Sequence, residues 1–136
     1  STGTAVTDED EEAARRLLSG CGSVFKVEES RMNAVSAISG CGPAYMFTAL
    51  DALSDAGVAM GLPRKTALEL AAGTMLGSAL MVEQTGEHPM ALRDAVTSPG
   101  GTTIAALNAL DECGFRNAWI QAVKRAVRRA EEMEGN

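Results

Sequence analysis

The rhythm of apolar positions changes along the chain. Thr2 to Val6 and Ser23 to Val27 are short β-prone runs, and both are predicted to be strands. Between them Ala13, Ala14, Leu17 and Leu18 fall on one helical face. Thr7 and Asp8 offer N-cap oxygens. The acidic residues 8 to 12 suit the positive end of a helix, and Gly20 or Gly22 stops it. Two strands and one helix leave unpaired edges and need a larger sheet, so this stretch is expected to be the tail of one.

From Ser30 onward the pattern is helical. Ala34 to Ile38 gives a short segment, broken by the run from Ser39 to Pro43. Helices are predicted from Pro43 to Met60, Pro63 to Gln84 and Pro89 to Val96, with Gly61 and Gly86 closing the first two. A glycine-rich turn, Ser98 to Thr103, opens the next helix, which ends at Cys113-Gly114. The last runs from Phe115 to Met133. No internal repeat or low-complexity segment occurs.

Two helices carry more than a fold class. From Ala67 to Val82 nearly every position is apolar or small, with Glu69 and Thr74 as the main breaks. A helix that is apolar all round is buried all round, and a chain this short has few elements to surround one. A partner subunit is the expected cover, with Ala71, Ala72, Gly73, Gly77, Ser78 and Ala79 allowing close approach; a central core helix in a monomer is the alternative. In the last helix, Phe115, Trp119, Val123, Ala126, Val127 and Ala130 share one face and Lys124, Arg125, Arg128 and Arg129 the other. This is either a basic patch or a solvated face paired with Glu131 and Glu132; the second is the simpler.

Composition narrows the choice. The 136 residues suit one modest domain, 46% are hydrophobic and only 4% aromatic, so the core must rely on Ala, Leu, Val and Met. A net charge of −6 argues against a nucleic-acid partner. Cys21, Cys41 and Cys113 are odd in number and lack a C-x-x-C spacing. That points to reduced thiols in a cytoplasmic protein, with no metal site. No uncharged run of 18 apolar residues occurs, so no membrane helix is expected. The N-terminus is not a signal peptide, and its lack of Met is the expectation for a processed or cut chain.

The strongest chemical signal is Thr97-Ser-Pro-Gly-Gly-Thr-Thr-Ile104. Glycines let a ligand approach the backbone, and the helix that follows presents free N–H groups and a positive dipole end. The residues fit a cradle for a carboxylate. They fit equally a tight turn with Ser98 as N-cap, which on chemistry alone is the simpler reading. Ser39 to Ala44 is a second glycine cluster opening a helix. It is not a dinucleotide fingerprint, because no buried strand precedes it and its spacing is wrong. His88, before Pro89, is read as a loop or cap residue rather than a base.

Taken together, Ser39-Gly-Cys-Gly-Pro-Ala-Tyr45, Asp51-Ala-Leu-Ser-Asp-Ala-Gly-Val58, Met60-Gly-Leu-Pro-Arg64, Gly86-Glu-His-Pro89, Leu92-Arg-Asp94, Thr97 to Ile104 and Leu110 to Phe115 resemble the C-terminal domain of pyrroline-5-carboxylate reductases. The likeness is strongest from Ala34 to Met133 and weaker back to Ser1. It implies a mainly α fold, a helical dimerisation domain of the 6-phosphogluconate-dehydrogenase-like type. A strand-helix-strand remnant of a Rossmann domain precedes it, with residues 1–29 as remnant and 30–136 as the dimerisation and substrate-binding domain.

The resemblance further implies reduction of 1-pyrroline-5-carboxylate to L-proline, the last step of proline biosynthesis, with NADPH or NADH and in a homo-oligomer. The substrate carboxylate would rest on backbone N–H groups of Gly100, Gly101, Thr102 and Thr103. The Thr103 hydroxyl would face the ring nitrogen as the catalytic group. Glu29 and Ala95 match positions near the cofactor, although Ala95 cannot make a polar side-chain contact. Cys41 stands where the family more commonly has Ser. No G-x-G-x-x-G follows a strand anywhere, so this chain by itself is expected neither to hold a nicotinamide nucleotide tightly nor to turn over. Two other functions stay open: a helical dimerisation module with no ligand and, more distantly, a nucleic-acid adaptor using the basic face.

Overall fold

The computed structural model describes residues 1–135. It contains α1 (Asp8–Leu18), a 3-10 turn (Glu29–Arg31), α2 (Met32–Val35), a π-helical segment (Ser36–Gly40), α3 (Gly42–Ala59), α4 (Arg64–Thr85), α5 (Pro89–Ala95), α6 (Thr102–Glu112) and α7 (Phe115–Glu134). The fold is mainly α. It divides into two compact units, one of residues 1–40 with 123–136 and one of residues 41–122.

In the first unit, α1 is started by a capping box. Asp10 donates its N–H to Thr7 Oγ1 at 3.2 Å, and Asp10 Oδ2 accepts the Thr7 N–H at 3.0 Å and the Thr7 hydroxyl at 2.6 Å. These bonds, the hydroxyl's first, hold the Asp10 carboxyl below the ordinary aspartate range. A group whose folded pKa is depressed adds stability above its unfolded value and loses it as pH falls through the folded one. Helix α1 is therefore expected to weaken from about pH 4 downward, and Thr7→Val should return the Asp10 pKa toward the ordinary range. A carboxyl-detected NMR titration of both forms checks this; coincident Asp10 curves would remove the capping-box explanation.

The strands expected at residues 2–6 and 23–27 do not form; no strand occurs among the described residues. A strand is defined by a neighbour to pair with, and these stretches find none. What fixes residues 23–27 locally is side-chain bonding: Arg15 Nη1 donates to Val24 O at 3.2 Å and Lys26 pairs with Glu11. Leu17, Leu18 and Phe25 stay exposed. The break expected from Ser39 is also displaced. Helical winding continues through Gly40 as a π segment, with Ser39 Oγ donating to Val35 O at 2.9 Å, and Ala37 is buried there.

In the second unit α3 and α4 form an antiparallel hairpin joined by Met60 to Pro63. Their seam is narrow because its residues are small. Ala67 and Ala71, one turn apart on α4, are buried, as is Ser54 on α3. A Cβ added at Gly57 would meet Ala67 Cβ at 3.0 Å, closer than real Cβ contacts come. Gly57→Val should therefore pry the hairpin open and cost about 1–3 kcal/mol, read as a lower midpoint in urea denaturation; an unshifted midpoint would mean that the seam is elsewhere.

The rest of α4 is not covered. Leu68, Leu70, Leu76, Leu80 and Met81 are exposed, Leu76 by 63%. The helix has 22 residues, and one face only is occupied by α3. The apolar winding is as the pattern predicted; within one chain it is half-satisfied.

Candidate substrate-binding site

The site begins at the end of α5. His88 is the N-cap of that helix, its Nδ1 accepting the Met90 N–H at 3.2 Å, which is the capping role expected of it. Pro89 follows in the first turn. At the far end Thr97 Oγ1 donates to Arg93 O at 2.6 Å. Ser98, Pro99, Gly100 and Gly101 then make a tight turn, with the Gly101 N–H donated to Ser98 O at 3.1 Å. Pro99 precedes Gly100 at φ +67°, the left-handed conformation that the third position of a type II turn requires. Gly101 is constrained differently. A Cβ there would run into Ser98 Oγ and lie 3.2 Å from Ser98 O, so a side chain would have to turn the Ser98 hydroxyl away and shift the turn slightly.

Helix α6 starts immediately after. Its N-cap is Gly101, and no side chain caps it. Ser98, the capping candidate from the sequence, gives its carbonyl to the turn instead. The first intrahelical bond is Ala105 N–H to Gly101 O at 3.4 Å. The N–H groups of Thr102, Thr103 and Ile104 therefore project from the helix end with no acceptor among the described residues. N–H groups left free at the end of an 11-residue helix, which carries roughly half a positive charge, are suited to receiving an anion.

Of the four backbone donors expected from the sequence, the N–H of Gly101 is taken by its own turn. The N–H of Ile104 is free where that of Gly101 is not, at a residue that glycine and hydroxyl signals gave no cause to pick. Helix numbering alone identifies it: three N–H groups beyond the N-cap are always left over. Gly100 and Thr102 are exposed, and Gly101 and Thr103 half-buried.

The cofactor candidates lie apart in sequence and in unit. Ala95 is the last residue of α5 and lines a cavity of about 370 Å³ with Ser78, Met81, Val82, Leu92 and Val96. Glu29 opens the 3-10 turn of the first unit, where its carboxylate accepts the Ser1 hydroxyl.

A family model described as pyrroline-5-carboxylate reductase dimerisation matches residues 29–133. The chain belongs to this family. Curated relatives carry the same name: the pyrroline-5-carboxylate reductase of Arabidopsis thaliana is 48% identical over 133 residues, covering 98% of this chain and 48% of the relative. Pyrroline-5-carboxylate reductase 2 of Homo sapiens is 46% identical over 134 residues, covering 98% and 42%. Among solved structures, a pyrroline carboxylate reductase of Plasmodium falciparum with NADP bound superposes with a TM-score of 0.90 at 32% identity, over 98% of this chain and 54% of that one. A reductase from Coxiella burnetii gives 0.91 at 35%, over 96% and 48%. The chain spans about half the length of the relatives it matches.

Tyr45 of α3 meets Trp119 of α7 edge-on at 6.1 Å between ring centroids, and Phe115 meets Trp119 in the same way at 5.8 Å. Desolvation, and after it the adjacent Cys41 thiol, hold the Tyr45 hydroxyl above its ordinary pKa. Arg128 and Arg129 on the basic face of α7 pair with Glu132 at 3.1 and 3.3 Å.

Proposed function

We propose that this chain is the C-terminal part of a pyrroline-5-carboxylate reductase, supplying the substrate pocket and the subunit interface for reduction of 1-pyrroline-5-carboxylate to L-proline. The observation that carries this is the uncapped start of α6 at the Ser98 to Thr103 turn, in a chain matched by the family over residues 29–133. The substrate is a small anion, and this turn is built to receive one.

The substrate carboxylate would be gripped by the backbone at Gly100, Thr102, Thr103 and Ile104, with Gly101 shaping the turn. Thr103, on the second turn position of the helix, would point its hydroxyl at the ring nitrogen. NADPH or NADH, when bound, supplies the hydride that adds to the C=N carbon while the C=N electron pair passes to nitrogen. Because an iminium can arrive already protonated, the reaction asks the protein for position rather than for a strong acid. That agrees with a site of glycines and threonines without a paired base. Glu29 and Ala95 would touch the cofactor's edge: Glu29 through its exposed carboxylate, Ala95 through its backbone and a methyl on an apolar wall.

We further assign residues 1–29 to the end of a nucleotide-binding domain and 30–136 to the helical domain, supported by a family match that begins at residue 29. The protein would work as a homo-oligomer joined through α4, supported by the exposed leucines there and by the family's description. It would reside in the cytoplasm, where Cys21, Cys41 and Cys113 stay reduced. No nucleic-acid role is needed for the basic face, since Arg128 and Arg129 are paired with Glu132. No described helix is long and apolar enough to cross a membrane.

The deciding experiment joins this chain to a matching nucleotide-binding half and follows NADPH and NADH oxidation with pyrroline-5-carboxylate. Substrate-dependent oxidation is expected. A folded, cofactor-binding protein with none would leave the helical module without a ligand as the better description.

A further inference from the structure

We infer that Thr97 is a positioning residue for the anion cradle: its hydroxyl clasps the last turn of α5 and sets the direction in which the Ser98–Gly101 turn leaves it. This rests on assigning the cradle to the substrate carboxylate. Most of the connection between α5 and α6 has little freedom of its own. Pro99 fixes its φ and holds Ser98 extended. The Gly101 N–H closes the turn on Ser98 O at 3.1 Å, and the Ser98 hydroxyl lies against Gly101 where a Cβ would stand. Helix α5 is anchored at its start by Pro89 and the His88 cap.

One joint is left, at Val96 and Thr97. Val96 has already departed from the helix, at φ −104° and ψ 9°, and is 70% exposed. Thr97 is half-buried. Its hydroxyl donates to Arg93 O at 2.6 Å, a carbonyl that also accepts the Val96 N–H at 3.2 Å, and its own N–H donates to Asp94 O at 3.1 Å. Without the hydroxyl only the two backbone bonds, from the Val96 and Thr97 N–H groups, hold the joint. The rigid turn beyond it, and the three N–H groups at the start of α6, then tilt as a body relative to α5.

The test is made in the protein carrying both halves. Thr97→Val keeps the shape and removes the donor; Thr97→Ser keeps the donor. Thr97→Val is expected to raise the KM for pyrroline-5-carboxylate about fivefold, the worth of one neutral hydrogen bond, while kcat and the KM for NADPH stay within about twofold. Thr97→Ser should restore the KM. An unchanged KM in Thr97→Val, a fall in kcat alone as from partial unfolding, or a Thr97→Ser no better than Thr97→Val would each overturn the positioning role. If the parent protein itself fails to reduce pyrroline-5-carboxylate, it is the functional assignment that falls, since no KM then exists to compare.

Discussion

Thr103→Val is expected to lower kcat/KM for pyrroline-5-carboxylate by roughly 10–100-fold in the protein carrying both halves, with the KM for NADPH nearly unchanged. The size follows from what is removed: one hydrogen bond to a charged group, worth about 1.5–3 kcal/mol. Valine has nearly the shape of threonine and its backbone N–H persists, so the carboxylate grip at the start of α6 is retained. The loss should therefore fall on the orientation of the ring nitrogen more than on capture of the anion. Thr102→Val serves as the control, because Thr102 is exposed whereas Thr103 is half-buried. Steady-state kinetics on the two variants separates the hydroxyls. If Thr103→Val kept kcat/KM within about twofold of the parent, the hydroxyl would have no part in the reaction.

The second large effect concerns association. Leu76→Glu should abolish self-association of this chain, weakening it by at least about 100-fold. Leu76 is 63% exposed on the uncovered side of α4, so the glutamate is well solvated in a lone chain and costs little there. In a subunit interface the same carboxylate would be desolvated without a partner, a penalty of about 3–5 kcal/mol. Sedimentation velocity at micromolar concentration reads the difference, and circular dichroism checks that helix content is kept. A variant sedimenting like its parent would show that α4 is not the interface. The adjacent small residues Gly73, Gly77 and Ser78 add no bulk there, which would let a second helix approach closely.

These two predictions draw on unequal parts of the sequence. The helices were legible because each is punctuated: Thr7 before α1, Pro43 and Pro89 in first turns, Gly86 in the left-handed conformation after α4. Local chemistry decides such signals, and distance along the chain does not dilute them. The candidate cradle was legible for the same reason, as glycines and threonines at a helix start. Its details were not. That Gly101 and not Ser98 is the N-cap, and that the Gly101 N–H is consumed by the turn while that of Ile104 stays free, depend on how four consecutive backbone units close on themselves. The runs at residues 2–6 and 23–27 form no strand here because a β-prone run becomes a strand only when a neighbour pairs with it.

By itself the sequence determined the mainly helical architecture, the turn that carries the candidate chemistry, and the family, because propensity, punctuation and motif order are local properties of the chain. Only the tertiary structure decided which faces stay bare and which donors stay free. The seam of α3 and α4 closes on Ala67, Ala71 and Gly57 and leaves Leu76 and Leu80 outside it. Burial and hydrogen-bond satisfaction are relations between groups brought together in space, and no window along the chain contains both partners.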